Sequence, residues 1–379
     1  MRSLYLSIFS AMLGLGIIAP LMPIYAKELG ATTLILGLIY SSFSIARTTF
    51  TPIVGIASDR FGRKPFILMG LLSYSIISLL YILARNSEDL VIIRFFHGLS
   101  SAMVIPSAMA YVSQMAPKGE EGRTISSFNL AFLSGMGFGP FLGGVIKDIF
   151  GLKFAFFAMS ILTALAFLTV AIFVPNVRDK SVFNFGIIFN KSIASLMVFR
   201  FSTAIRLALI IAFFPVLISH LKGYQIGSII STIVLTNAIS QKVFGGFVDR
   251  FDRVKLATFG SSISTVLFIA LPFAGNFVSI LALAIAMGIF NGLAMNSASA
   301  IAVSLGRIYG HGAVMGLFNT SMGLAMVVSP IMAGIIADFT NLVNSFVILG
   351  LVSLACLFIF YVLITVDEVR VCKREQEVR

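Results

Sequence analysis

The stretch GIASDRFGRKP, residues 55–65, decides how this chain is read. Only 11% of all residues are Asp, Glu, Lys or Arg, yet Asp59, Arg60, Arg63 and Lys64 crowd into one short segment. A degenerate copy, GGFVDRFDRVK, occupies 245–255. There Gly245, Asp249, Arg250, Phe251 and Arg253 repeat Gly55, Asp59, Arg60, Phe61 and Arg63 at an offset of 249 − 59 = 190. The same charged turn therefore stands at the same point of each half of an otherwise apolar chain.

The surroundings set the solvent. The chain has 379 residues, 58% of them hydrophobic, and a mean hydropathy of +1.03. Soluble proteins carry about 25% charged residues, so most of this chain faces lipid. A membrane helix needs about 20 mainly apolar residues. Twelve such runs are predicted, at 4–26, 32–56, 66–84, 89–113, 124–147, 152–174, 193–218, 224–246, 256–273, 277–303, 313–337 and 343–366. The first is read as a retained span and not a cleaved leader, because it is long and lacks a small-residue cleavage site. The longest connection, 175–192, divides six spans from six. The expected organisation is an N-terminal bundle at 1–174, a cytoplasmic central loop at 175–192, a C-terminal bundle at 193–366 and a cytoplasmic tail at 367–379.

Net charge is +12. With the N-terminus inside, inner segments hold 17 of the 27 Lys and Arg, and outer loops hold only Lys27, Arg85, Lys147, Lys153 and Lys222. This asymmetry predicts cytoplasmic termini. It makes the charge a topology signal and leaves no case for nucleic acid. Cys356 and Cys372 form no CxxC pair, and His97, His220 and His311 are scattered, so neither a metal site, a cofactor nor an intramembrane enzyme is expected.

The repeat extends to spans five and eleven, where Phe128, Asn129, Pro140, Gly144 and Asp148 recur as Phe318, Asn319, Pro330, Gly334 and Asp338. An even number of spans per half makes the halves parallel, related by an axis along the membrane normal. The predicted fold class is all-α polytopic, with twelve transmembrane helices in two pseudo-symmetric six-helix bundles.

With these features the chain resembles the major facilitator superfamily over essentially its whole length. Residues 55–65 match that family's G-x-x-x-D-R-x-G-R-K signature. Gly55 suits a close helix approach and Gly62 a turn with positive φ, while Arg60, Arg63 and Lys64 suit the anionic inner leaflet. Asp59 calls for a positive partner such as a helix N-terminus. The resemblance implies the start of span eleven, near Gly312 and Ala313, and by the repeat it sets Asp249 against span five near Thr124. Gly55, Asp59, Arg60, Gly62 and Arg63, with Gly245, Asp249, Arg250 and Arg253, are thus expected to latch the cytoplasmic gate. Gln114 stands where the family often has an aspartate, which leaves the basic residues one expected partner fewer.

Two further stretches carry the resemblance. RFFHGLSSA, 94–102, follows R-x-x-Q-G with His97 in place of glutamine. GMGFGPFLGG, 135–144, matches the G-x-x-x-G-P-x-x-G-G pattern of antiporters and exporters. Gly135, Gly139 and Gly143 line one face for close backbone contact, beside Pro140 and Gly144; Ala325, Ser329, Ala333 and Pro330 keep that logic in span eleven.

None of the 15 acidic residues lies deep in a predicted span, whereas Arg47 and Arg206 fall near mid-span and Arg94 somewhat nearer the outer face. Intramembrane cations are functional candidates by default. Arg47, Arg94, His97, Arg206, Asn237 and Asn291 are therefore the substrate or coupling candidates, the lesser alternative for Arg94 being a structural hydrogen bond to backbone carbonyls of span one. A positive cavity argues against a dedicated organic-cation pump. The resemblance implies a monomeric, proton-coupled efflux antiporter of the plasma (inner) membrane, working by alternating access on small neutral or anionic amphipathic compounds. An importer or exchanger of organic anions is the alternative, and a channel or non-transporting sensor on the same fold is the remote one.

Overall fold

The computed structural model describes residues 2–117, 120–177, 190–248 and 250–377, with side chains at 121–123, 307, 311–313 and 366–377 outside the description. Among the described residues there is no strand. The chain is a succession of helices: α1 (Arg2–Ile18), α2 (Met22–Glu28), α3 (Thr33–Phe61), α4 (Arg63–Leu83), α5 (Ser87–Gln114), α6 (Glu121–Phe150) and α7 (Leu152–Phe173) in the first half. The second half holds α8 (Lys191–Ala212), α9 (Phe214–Leu217), α10 (Gly223–Val243), α11 (Gly245–Val248), α12 (Arg253–Ala270), α13 (Phe277–Tyr309), α14 (His311–Phe339) and α15 (Leu342–Glu377).

Eleven helical segments among the described residues are long and apolar enough to cross a membrane. The eighth predicted span, α10, is helical over 21 residues but is not one of them. Gln225, Asn237, Gln241 and Lys242 dilute its hydropathy. Proline explains the breaks in the first and seventh spans: Pro23 opens α2 and Pro215 opens α9, each within the first two helical positions, where a missing N–H costs nothing. Side-chain caps begin others. Thr32 accepts from Ile35 N (3.2 Å), Asn86 from Asp89 N (2.8 Å), and Asn276 from Ser279 N (2.8 Å) in a capping box.

The signature stretch is mostly helix. Asp59 and Arg60 form the last turn of α3, Arg63 and Lys64 the first turn of α4, and Gly62 alone turns the chain at φ 99°. That is the conformation glycine was expected to supply.

Two compact units result, Met1–Phe183 with Ile210–Leu235 and Pro330–Leu342, and Asn184–Leu209 with Thr236–Ser329 and Val343–Arg379. In the first, α1 packs on α6 and α7, and α5 packs on α3 and α4. In the second, α12 packs on α13, and a core around Phe199, Phe318 and Phe360 joins α8, α14 and α15. The first unit draws in the early part of α10 and the end of α14 because backbone there meets backbone at glycine, as described next.

Candidate functional site

At the signature, Asp59 pairs with Arg63 one turn on, at 2.8 Å. Arg63 Nε donates to Gln114 Oε1 (3.2 Å), so Gln114 supplies the partner its departure from the family pattern seemed to remove. The Arg63 backbone N–H donates to Val177 O (3.1 Å), and Lys64 Nζ donates to Ala171 O (2.8 Å). Through these bonds Arg63 and Lys64 tie α4 to α5 and to the end of α7. Arg60 lies over the Phe61 ring, 5.5 Å from its centroid. Among the described residues, a Cβ at Gly55 or at Gly245 would meet nothing within 4 Å. In the second copy, Asp252 caps α12, accepting from Val254 N (2.9 Å) and Lys255 N (3.1 Å). Arg253 donates to Ser304 Oγ (3.1 Å), and Arg250 is exposed. Asp249 lies outside the described residues, as do the side chains at 312 and 313.

The glycine face of α6 lies against α1. Cβ atoms on Gly135, Gly139 and Gly143 would collide with α1, at Phe9 O, Gly16 Cα and Ile17 O respectively. One at Gly144 would strike Gly223 O, and one at Gly227 would strike Pro140 O. In span eleven the same geometry recurs 190 positions on: Gly334 meets Thr33 O, and Gly37 meets Pro330 O. Each contact ends in a carboxylate cap. Asp148 accepts from Gly223 N (2.9 Å) and Tyr224 N (2.8 Å), opening α10. Asp338 accepts from Leu34 N (3.2 Å), opening α3. Sequence reading had paired the two aspartates but given them no role.

Within the first unit, Arg94 is 5% exposed and its guanidinium sits 5.1 Å from the Tyr40 ring centroid, 5.6 Å from Phe43 and 5.9 Å from Tyr81. Cations are held well by ring faces when desolvated. Its Nε has no hydrogen-bond partner among the described residues. One turn on, His97 is fully buried, with Nδ1 2.9 Å from the Tyr81 hydroxyl and Nε2 unpartnered. Tyr74 and Phe43 meet the imidazole edge to face, at 4.9 and 5.4 Å. Arg47, half-buried on α3, lies within electrostatic reach of Tyr74. The structure therefore gathers Arg47, Arg94 and His97 around one set of aromatic rings.

Arg206 is placed differently. In the second unit it is 3% exposed. Nη1 donates to Thr265 Oγ1 (2.7 Å), Ser353 Oγ (2.9 Å) and Ser202 Oγ (3.5 Å); Nη2 donates to Ser261 Oγ (3.0 Å) and Asn291 Oδ1 (3.3 Å). This one guanidinium stitches α8 to α12, α13 and α15, and it occupies Asn291. Asn237 is engaged by Gln241, which donates to its Oδ1 (2.7 Å). No ion pair is formed by Arg94 or Arg206 among the described residues. Sequence reasoning did not make a candidate of Arg200, also on α8, which among the described residues has only sulfur acceptors and a ring. No local pattern distinguishes it from Arg206.

The family follows from comparison as well as from geometry. A relative in Methanocaldococcus jannaschii, described as an uncharacterised MFS-type transporter, is 29% identical over 371 residues, covering 92% of this chain and 96% of its own. The quinolone resistance protein NorA of Staphylococcus aureus (strain COL) is 25% identical over 349 residues, covering 88% and 89%. The fold matches the inward-facing, occupied crystal structure of a bacterial homologue of the human lysosomal transporter Spinster, with TM-score 0.80 at 12% identity over 96% of this chain and 95% of that one. The Major Facilitator Superfamily profile matches residues 4–219 and 194–377. The chain is a multi-pass membrane transporter and belongs to the Major Facilitator Superfamily.

Proposed function

We propose that this transporter exports small amphipathic compounds, neutral or anionic, in exchange for protons, by alternating access across the plasma membrane with both termini cytoplasmic. The observation that carries the reading is Arg94, a buried cation walled by three rings, with a free Nε and no carboxylate partner. A buried donor left unpaired costs about 1–3 kcal/mol, so an acceptor on the cargo would be favoured there. Aromatic walls suit a ring or acyl chain beside that acceptor. His97 Nε2, one turn along the same helix, adds a second free polar atom. The likeness to a quinolone resistance protein supports export over uptake.

On this reading the Asp59–Arg63 pair, braced by Gln114, latches the cytoplasmic gate together with its degenerate copy at 245–255. Because Asp59 and Arg63 already neutralise each other, opening needs only local exchange of partners and not the exposure of a lone buried charge. The test is transport in proteoliposomes. Counterflow of labelled substrate would distinguish a carrier from a channel, since only alternating access exchanges solute between closed gates. Proton-driven accumulation in inside-out vesicles is the expected result. Accumulation only in right-side-out vesicles would make the protein an importer or exchanger of organic anions and overturn the direction proposed.

A further inference from the structure

Arg200 and Arg206 lie six residues apart on α8, yet their surroundings are opposites. Arg206 is satisfied by five side-chain oxygens. Arg200 is half-buried, with Nη1 3.2 Å from Met295 Sδ, Nη2 2.7 Å from Met322 Sδ, its carbon 5.1 Å from the Phe318 ring centroid, and Nε unpartnered. A thioether is a weak acceptor, and a guanidinium carries five N–H donors in a planar fork that matches carboxylate or sulfonate oxygens. Methionine side chains readily reshape around different apolar bodies. A membrane cation given only sulfur and a ring face is underused by its own protein.

We propose that Arg200, Phe318, Met295 and Met322 form the subsite that takes the charged group and adjoining ring of an organic-anion cargo. Arg200 is then the residue that sets charge specificity. This rests on the reading of the cargo given above. Two probes of one shape test it, naphthalene-2-sulfonate and the neutral naphthalene-2-sulfonamide, by equilibrium binding to the full chain in nanodiscs. Wild type is expected to prefer the sulfonate by about tenfold or more, as for a hydrogen-bonded charge pair. Arg200→Met should abolish that preference and leave sulfonamide affinity within about twofold, with Arg200→Lys retaining part of it. Methionine keeps a long, unbranched, adaptable side chain in place while removing the charge and the donors. An unchanged preference in Arg200→Met overturns the assignment. If Arg94→Gln removes the preference and Arg200→Met does not, the anionic reading stands and the subsite falls. If wild type shows no preference, both fall.

Discussion

Arg206 offers a quantitative test of how this fold is held, through a double-mutant cycle with Thr265. Replacing the arginine alone mixes two opposing effects. It loses five hydrogen bonds, four of them to other helices, but it also removes a charge from the membrane interior, where cations are costly. The cycle cancels the second effect, because the desolvation of Arg206 is the same whichever residue stands at 265. Thr265 Oγ1 receives Nη1 at 2.7 Å while donating to Ser261 O at 2.7 Å, so Thr265→Val deletes a short, charged contact within a satisfied network. Hydrogen bonds between membrane helices average about 0.6 kcal/mol and reach about 1.7. This one is short and charged, which places its coupling near the top, at about 1.5 kcal/mol. The assay is reversible unfolding in bicelles of wild type, Thr265→Val, Arg206→Met and the double variant, without ligand. Thr265→Val should destabilise wild type by about that amount and have little effect in the Arg206→Met background. A coupling indistinguishable from zero would refute the claim that the guanidinium is spent on structure. It would leave Arg206 free to hold cargo.

The signature turn yields two further expectations. Asp59→Asn should insert and fold normally but transport slowly, measured as turnover at equal expression; wild-type turnover would remove the latch. Gln114→Leu should lower the melting temperature, because Arg63 Nε loses an acceptor in a buried setting and an unpaired buried donor costs about 1–3 kcal/mol; an unchanged melt would show that Arg63 finds another partner. For coupling, His97 is the one histidine buried in a span among the described side chains, yet the family's usual glutamine there cannot titrate. His97→Gln is therefore expected to keep substrate accumulation driven by an imposed pH gradient. Exchange that persists while the response to the gradient disappears would identify His97 as the proton carrier.

Hydropathy alone located the helices, because crossing a bilayer needs a local run of apolar residues, and a run is visible in one dimension. Backbone requirements were legible for the same reason. The turn at Gly62 needs positive φ whatever surrounds it, and the spacing of Gly135, Gly139 and Gly143 puts them on one helix face in any fold. The 190-residue repeat went further, pairing Asp148 with Asp338 before either had a partner. What the sequence could not contain was which surfaces meet. Gly55 and Gly143 look alike in a motif, yet among the described residues only Gly143 touches a neighbouring backbone. Gln114 reads as a lost carboxylate until α5 brings it beside Arg63. Arg200 and Arg206 are both arginines in one apolar helix, and nothing near them in sequence predicts that one meets oxygens from α12, α13 and α15 and the other two sulfurs and a ring. A hydrogen bond depends on the rotation and height of each helix against its neighbours, and that is fixed by packing over the whole chain. Tertiary structure therefore decided which cations are bonded to oxygens of neighbouring helices and which are set against rings and sulfurs.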